Sequence, residues 1–314
     1  MCIRDSTVTT LNTAEGTDIV NINDASGLLT VNTEQHDDVV NVRATGLGSE
    51  VRINGHEGLD TINLSDASPA VPSDYPAVLP PPAADTVGNI DSIDGLIVID
   101  GGSEYDQVNV DDSANNNAKA GTLTAATLRG LDLPAGVDYS NLEDVNVWLG
   151  TGTDVLFIDS THAGTTQVFG GDGNDTTNER DDTIAINTIA GVTTIHGQAG
   201  NDFIEANVDS PVLPQDGSFG SLEPITGFFV RTHVNGLAAV LNVHGEGDSD
   251  QVALNFAGEG GALVNVLDKG APNDGVDSLI INGADVVPGV NNQPDDTFLS
   301  VSYTHLTLPT KRIV

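Results

Sequence analysis

A single register constrains this chain more than any other feature. Eight segments superimpose on one aspartate each: Asp18, Asp38, Asp60, Asp106, Asp154, Asp175, Asp202 and Asp250. Seven residues before each stands an aliphatic residue: Leu11, Val31, Ile53, Ile99, Val147, Val168, Ile195 or Val243. Two residues after it come Val20, Val40, Ile62, Val108, Leu156, Thr177, Ile204 and Val252, all apolar but Thr177. Glycine precedes the aspartate by two positions at Gly16, Gly58, Gly152, Gly173 and Gly200. Apolar residues alternating on both sides of a Gly/Asp turn read as strand, turn, strand. Successive aspartates are 20, 22, 46, 48, 21, 27 and 48 residues apart. The long intervals are near twice the short ones, and Asp85 and Asp132 sit inside two of them as weaker candidates.

A period of about 22 residues suits one coil of a parallel β-helix, each coil stacked ~4.8 Å above the last. One coil cannot bury its apolar face alone, whereas stacked coils share a core. The expected fold is therefore all-β, a right-handed parallel β-helix or β-solenoid. The alternative, tandem β-sandwich adhesion domains, would repeat every ~100 residues with seven strands each, which the short register disfavours. Helix signals are poor throughout: the best segment, AKAGTLTAATLRGL, places Gly and Thr where a helix favours Ala or Leu.

A longer repeat overlies the short one. EGTDIVNINDAS and INGHEGLDTINLSDASP return as GTGTDVLFIDST and IHGQAGNDFIEANVDSP, which predicts superrepeats at about 7–145 and 146–301. Each is interrupted by a Pro-rich stretch, at 69–84 and 209–224, of the kind that leaves a scaffold as a surface loop and returns. The ends look foreign. MCIRDS (1–6) and the closing segment 302–314 resemble translated sequencing adapter of the sort found in metagenomic gene calls, and are set aside from fold reasoning. The remaining body, 7–301, has no cysteine and reads as a fragment of something longer.

The chain holds 46 acidic and 10 basic residues, a formal net charge of −36. Nucleic acid is not an expected partner, because phosphate contacts need basic patches. Anionic lipid is disfavoured for the same reason, and no apolar run approaches the ~20 residues of a membrane span. Cations are the natural partners of such a surface. A column of aspartates ~4.8 Å apart would repel by ~0.9 kcal/mol per pair in water and ~3.5 kcal/mol at an effective dielectric of 20. A ladder of such pairs rivals a whole domain's stability of ~5–15 kcal/mol, so bound cations, salt or protonation must relieve it.

The turns GGDGND, GQAGND and GHEGLD resemble the hemolysin-type (RTX-like) calcium-binding nonapeptide, and the body resembles large bacterial secreted and surface proteins that carry such repeats. The resemblance implies calcium held between neighbouring loops by backbone carbonyls and by the final Asp of each loop. Carried onto this sequence, the ligands would be Gly170, Asp172 and Asp175; Gly197, Ala199 and Asp202; and Gly55, Glu57 and Asp60. Calcium takes 6–8 oxygens at ~2.4 Å, more than one loop can supply and within reach of two. This chain departs from the family by having one loop per ~22 residues rather than two per coil. A competing reading needs no metal: each Asp accepts N–H bonds within its own turn.

Other constellations are weaker. His56, His196 and His244 each adjoin a loop glycine and could form a column, but a solvent-exposed reading is favoured because no two of them share a tight spacing with Cys or Glu. No serine sits in a nucleophile elbow. Parallel β-helices include polysaccharide-acting enzymes, which need paired carboxylates and sugar-stacking aromatics. Here Trp148, Tyr75, Tyr105 and Tyr139 are scattered along the body. The expected function is a non-catalytic structural or adhesin-like module, extracellular or on the cell surface. Calcium is its expected cofactor, and neighbouring repeats and surface or matrix carbohydrate its expected partners. The alternative is a polysaccharide-acting β-helix enzyme or carbohydrate-binding module.

Overall fold

The structure, a computed structural model, describes residues 8–67, 88–172, 181–208, 236–255, 263–270 and 275–282. The two foreign-looking ends, both Pro-rich insertions, Asp85 and Asp175 lie outside the described residues. Among the described residues every regular element is a strand, so none forms a helix long and apolar enough to cross a membrane.

The strands run β1 (Thr9–Asn12), β2 (Ile19–Ile22), β3 (Leu28–Asn32), β4 (Val39–Val42), β5 (Glu50–Asn54), β6 (Thr61–Leu64), β7 (Leu96–Asp100) and β8 (Gln107–Asp111). Then come β9 (Ala120–Leu123), β10 (Thr127–Gly130), β11 (Leu133–Ser140), β12 (Asp144–Trp148), β13 (Val155–Ile158), β14 (Thr165–Phe169) and β15 (Thr183–Ile186). The series closes with β16 (Thr193–Gln198), β17 (Phe203–Ala206), β18 (Leu241–Glu246), β19 (Gln251–Asn255), β20 (Val264–Leu267) and β21 (Ser278–Asn282). They form two sheets. One has twelve strands in the order β1-β3-β5-β7-β11-β10-β9-β13-β15-β17-β19-β21, the other nine in the order β2-β4-β6-β8-β12-β14-β16-β18-β20. In the first eight strands the chain alternates between the sheets, and each strand pairs in parallel with its counterpart one coil on, as in Val31↔Ile53 and Val40↔Ile62. This is a parallel β-solenoid.

Alternation builds the core. In β3, β5 and β7 every second residue is buried, so Val31, Ile53 and Ile99 stack in one file between the sheets. On the other sheet Val40, Ile62 and Val108 do the same from Asp+2, the position the sequence marks as apolar. Each fully buried aliphatic side chain contributes ~1.5–3 kcal/mol, and one continuous cluster runs from Val20 to Leu254.

Two features differ from the sequence expectation. The 46-residue interval from Asp60 to Asp106 and the 48-residue interval from Asp202 to Asp250 hold no extra coil, whereas the interval from Asp106 to Asp154 holds β9 to β12. β6 pairs directly with β8 (Asn63↔Asn109) and β17 with β19 (Ile204↔Val252), so the intervening residues are insertions within one coil. The second feature is a seam. Residues 120–140 form the antiparallel meander β9-β10-β11 inside the parallel sheet, with β11 joining β7 and β9 joining β13. Asp132 sits in its turn at φ 58°. A parallel sheet tolerates this because both outer strands still run in the common direction. On the other sheet β12 pairs with β8 and β14, so pairing continues unbroken past residue 145.

Candidate metal centre

The aspartates of the register form two ladders, one at the turns into the nine-stranded sheet (Asp18, Asp38, Asp60 and Asp106) and one at the turns into the twelve-stranded sheet (Asp154, Asp182, Asp202 and Asp250), and the chemistry of each runs between coils. Asp18 N–H donates to Asp38 Oδ1 (2.6 Å), Asp38 N–H to Asp60 Oδ1 (2.9 Å), Asp60 N–H to Asp106 Oδ1 (2.8 Å) and Asp106 N–H to Glu143 Oε2 (2.8 Å). Beyond the seam Lys119 N–H donates to Asp154 Oδ1 (2.7 Å) and Asp154 N–H to Asp182 Oδ1 (2.7 Å). Asp182 N–H then donates to Asp202 Oδ1 (3.1 Å), Asp202 N–H to Asp250 Oδ1 (3.0 Å) and Asp250 N–H to Asp277 Oδ1 (3.0 Å). One carboxylate oxygen per rung thus satisfies the turn N–H of the neighbouring coil. Capping within the same turn occurs at Asp154, whose Oδ2 accepts Gly150 N–H at 3.0 Å.

The second oxygen is different. Oδ2 of Asp38, Asp106, Asp182, Asp202 and Asp250 is buried and has no hydrogen-bond partner among the described residues. Each unpaired buried acceptor costs ~1–3 kcal/mol or more when charged. These oxygens share their space with main-chain carbonyls. A methyl group placed on Gly197 would lie 2.7 Å from Asp202 Oδ2 and 2.6 Å from Gly245 O. On Gly170 it would lie 2.6 Å from Gly197 O and 3.2 Å from Asp182 Oδ2, and on Gly55 2.0 Å from Gly101 O and 2.4 Å from Asp60 Oδ2. Glycine at these positions is what lets carbonyl and carboxylate oxygens converge. Gly55 O also accepts the Thr33 hydroxyl at 2.8 Å, and that hydroxyl reaches Asp60 Oδ2 at 3.4 Å.

Burial raises the carboxyls, and for all but Asp154 the charge of a neighbouring rung adds to it. Asp38 and Asp154 are pushed up to about 6, and Asp60, Asp106 and Asp250 to about 7. Asp202 rises to about 9, by burial and then Asp250; Asp182 rises to about 10, by burial and then Asp202. A desolvated carboxylate seeks a proton or a cation, and an all-oxygen donor set of carboxylate and carbonyl suits a hard cation such as calcium.

Of the loop residues expected to bind calcium, Gly170 and Gly197 lie in adjacent coils, and Asp172 and Ala199 are bridged through their backbones. Gly55 and Asp60 stand on the first ladder. The Glu57 side chain is exposed, and its backbone bridges Gln35 and Ser103. The rung between Asp154 and Asp202 is Asp182. The sequence carried a signal for this: Asp182 is followed at +2 by Ile184, whereas Asp175 is followed by Thr177, the one polar residue at that position.

Sequence reasoning also missed a second ladder. Asn41 donates to Asn21, Asn63 to Asn41, Asn109 to Asn63 and Asn146 to Asn109, all at 2.9–3.0 Å, and Gln167 caps the series on Asn146 at 3.1 Å. The asparagine at Asp+3 in four successive turns was its signature.

Beyond Asn146 the same sheet changes character. Trp148 stacks on Phe169 (centroids 4.8 Å, 1° between planes), Phe169 on His196 (4.5 Å, 7°), and His196 meets His244 edge-on (4.8 Å, 85°). Trp148 is buried in this stack. Of the three histidines singled out in the sequence, His196 and His244 come together across β16 and β18, while His56 is exposed near the other end. Glu246 joins the pair: its Oε1 lies 2.8 Å from His196 Nδ1 and 3.9 Å from His244 Nδ1. Comparison with known protein-family models and with curated proteins finds no match to this chain.

Proposed function

We propose that the chain is a non-catalytic structural module, adhesin-like in kind, of a secreted or surface protein, in which calcium along the Gly/Asp turns neutralises the aspartate column. What supports this most is the row of buried, unpaired Oδ2 atoms at Asp38, Asp106, Asp182, Asp202 and Asp250. At Asp182 and Asp202 these face the carbonyls of Gly197 and Gly245. Such a row is unfavourable as bare charge and favourable as a ligand set. Calcium would be held by Asp182 and Asp202 with those carbonyls, and by Asp60 and Asp106 with the carbonyl of Gly101. When bound it supplies positive charge where water is excluded. The chain's own residues do the rest: the Oδ1 hydrogen bonds fix the register of the coils, and the glycines let the oxygens approach.

Extracellular calcium modules bind at ~10⁻⁴–10⁻³ M, so the ion serves folding and stiffness rather than signalling. At ten times its dissociation constant each ion contributes ~1.4 kcal/mol. The test is a calcium titration of the chain at pH 7.5, followed by far-UV circular dichroism and melting temperature, with magnesium as control. The expected result is a melting temperature that climbs with calcium and hardly with magnesium. Identical melting in EDTA and in 5 mM calcium would overturn the reading and leave the column to protons.

A further inference from the structure

A second site, of different chemistry, stands on the outer side of the nine-stranded sheet. His196 on β16 and His244 and Glu246 on β18 present one ligand atom each, all within 4.8 Å of one another. The pairing His196↔His244 sets the two imidazoles one coil apart, and Glu246 reaches back toward both. Tetrahedral ligands ~2.0–2.1 Å from a zinc ion sit ~3.3 Å apart. The spacings of 2.8 and 3.9 Å from Glu246 Oε1 to the two Nδ1 atoms bracket that value.

The surroundings favour order. Phe169 stacks flat on His196, with Trp148 stacked on Phe169 in turn, which fixes the imidazole plane. The His196 and His244 side chains are 16% and 10% exposed, leaving an edge open to solvent for entry and for a fourth, water ligand. One group competes: Lys269 Nζ lies 3.1 Å from His244 Nδ1. Lysine is a long side chain that can swing into water, so it would weaken the site without closing it.

We propose that His196, His244 and Glu246 form a binding site for a borderline divalent transition-metal ion, of the zinc, copper or nickel class, that clamps β16 to β18. Two imidazoles and one carboxylate select such ions over calcium and magnesium, which take oxygen. Binding releases the proton shared by His196 Nδ1 and Glu246 to solvent and displaces Lys269. The clamp links residues 196 and 244, which stand 48 positions apart in the chain. It is independent of the calcium reading, since the aspartate column contributes no ligand to it.

The chain carries its own reporter. Trp148 is its only tryptophan and lies two stacked rings from His196. The experiment uses the full chain with Cys2→Ser, to remove a competing thiol, in 5 mM calcium so that oxygen sites are filled with the hard ion. Zinc chloride is titrated by calorimetry, and copper chloride by Trp148 fluorescence. One zinc per chain and quenching by one equivalent of copper are expected. Glu246→Gln and His244→Gln should each weaken zinc at least tenfold, and Lys269→Met should tighten it severalfold. Circular dichroism checks that each variant keeps its β-signal; should His244→Gln lose it, Glu246→Gln, nearly the same shape, decides alone. Absence of zinc uptake up to 100 μM, or equally tight uptake by Glu246→Gln, overturns the proposal.

Discussion

The two stretches of the solenoid on either side of the seam each carry an aspartate column, the first at the turns into the nine-stranded sheet and the second at the turns into the twelve-stranded sheet, and stabilise it differently. From β2 to β12 the nine-stranded sheet is stitched by asparagines, each amide N–H donating to the side-chain oxygen of the asparagine one coil before it. Beyond β12 that position passes to Gln167, Thr194 and Asn242, and the sheet is held instead by the stack from Trp148 to His244. The carboxyls follow the same division. Asp38 and Asp60 rise to about 6 and 7, with the Thr33 hydroxyl at 3.4 Å easing Asp60. Asp182 and Asp202 rise to about 10 and 9 because burial is deeper, while Asp154 and Asp250 at either side of them rise only to about 6 and 7. Both stretches hold buried, unpaired Oδ2 atoms, at Asp38 and Asp106 in the first and at Asp182, Asp202 and Asp250 in the second, and the second buries them more deeply. Dependence on cations should therefore be graded along the rod.

The sharpest way to break that comparison is pH in EDTA. The folded carboxyls lie above the ~3.9 of an unfolded aspartate, so the folded chain holds more protons and stability is greatest below pH ~4. It should be lost as pH rises through about 6–7 (Asp38, Asp154, Asp60, Asp106, Asp250) and further toward 9–10 (Asp202, Asp182). A fall in melting temperature of ~10 °C or more between pH 4 and 9 is expected, at ~2–4 °C per kcal/mol. Saturating calcium should flatten the profile. Hydrogen exchange at pH 8 in EDTA should open β15 and β17 before β4 and β6; the reverse order would refute the division.

Next in size is Lys119, at the seam. Its ammonium is 1% exposed, 2.9 Å from Asp112 and in contact with Asp91. Burial alone would lower it, but the two carboxylates hold it above the ordinary lysine range. Lys119→Met leaves Asp112 buried and uncompensated, a loss of ~3–5 kcal/mol. Urea denaturation should show that loss equally with and without calcium. Calcium sensitivity here would tie the seam to the aspartate column.

Asn109→Ala is smaller, ~1–3 kcal/mol, because it strands an acceptor on Asn63 and a donor on Asn146. It too should be blind to calcium. The finest discrimination comes from Asp202→Asn, which retains an Oδ1 acceptor for Asp182 N–H and removes the ionisable group. At pH 8 it should raise the melting temperature in EDTA and lose ~1.4 kcal/mol of the calcium increment at ten times the dissociation constant. Asp38→Asn should show the same reversal more weakly. Equal effects at both rungs would erase the distinction between the stretches.

The rungs Asp18, Asp38, Asp60, Asp106, Asp154, Asp202 and Asp250 could be read from one dimension because each is a local event: a strand, a Gly/Asp turn and a strand whose period of two shows in the residue types. The same local logic determined the β class and the parallel stacking, since a coil of about 22 residues with one apolar file has nowhere else to bury it. What the sequence left open were choices among near-equals. Asp175 and Asp182 are both candidate rungs by sequence, and the pairing of β15 with β13 and β17 makes Asp182 the rung between Asp154 and Asp202. The long intervals read equally as a lost coil or an insertion until β6 met β8. The meander of β9 to β11 and the meeting of His196 with Glu246, 50 residues away, are set by strand order and register. These are properties of which coil lies on which, and strand pairing between distant residues leaves no trace in local composition.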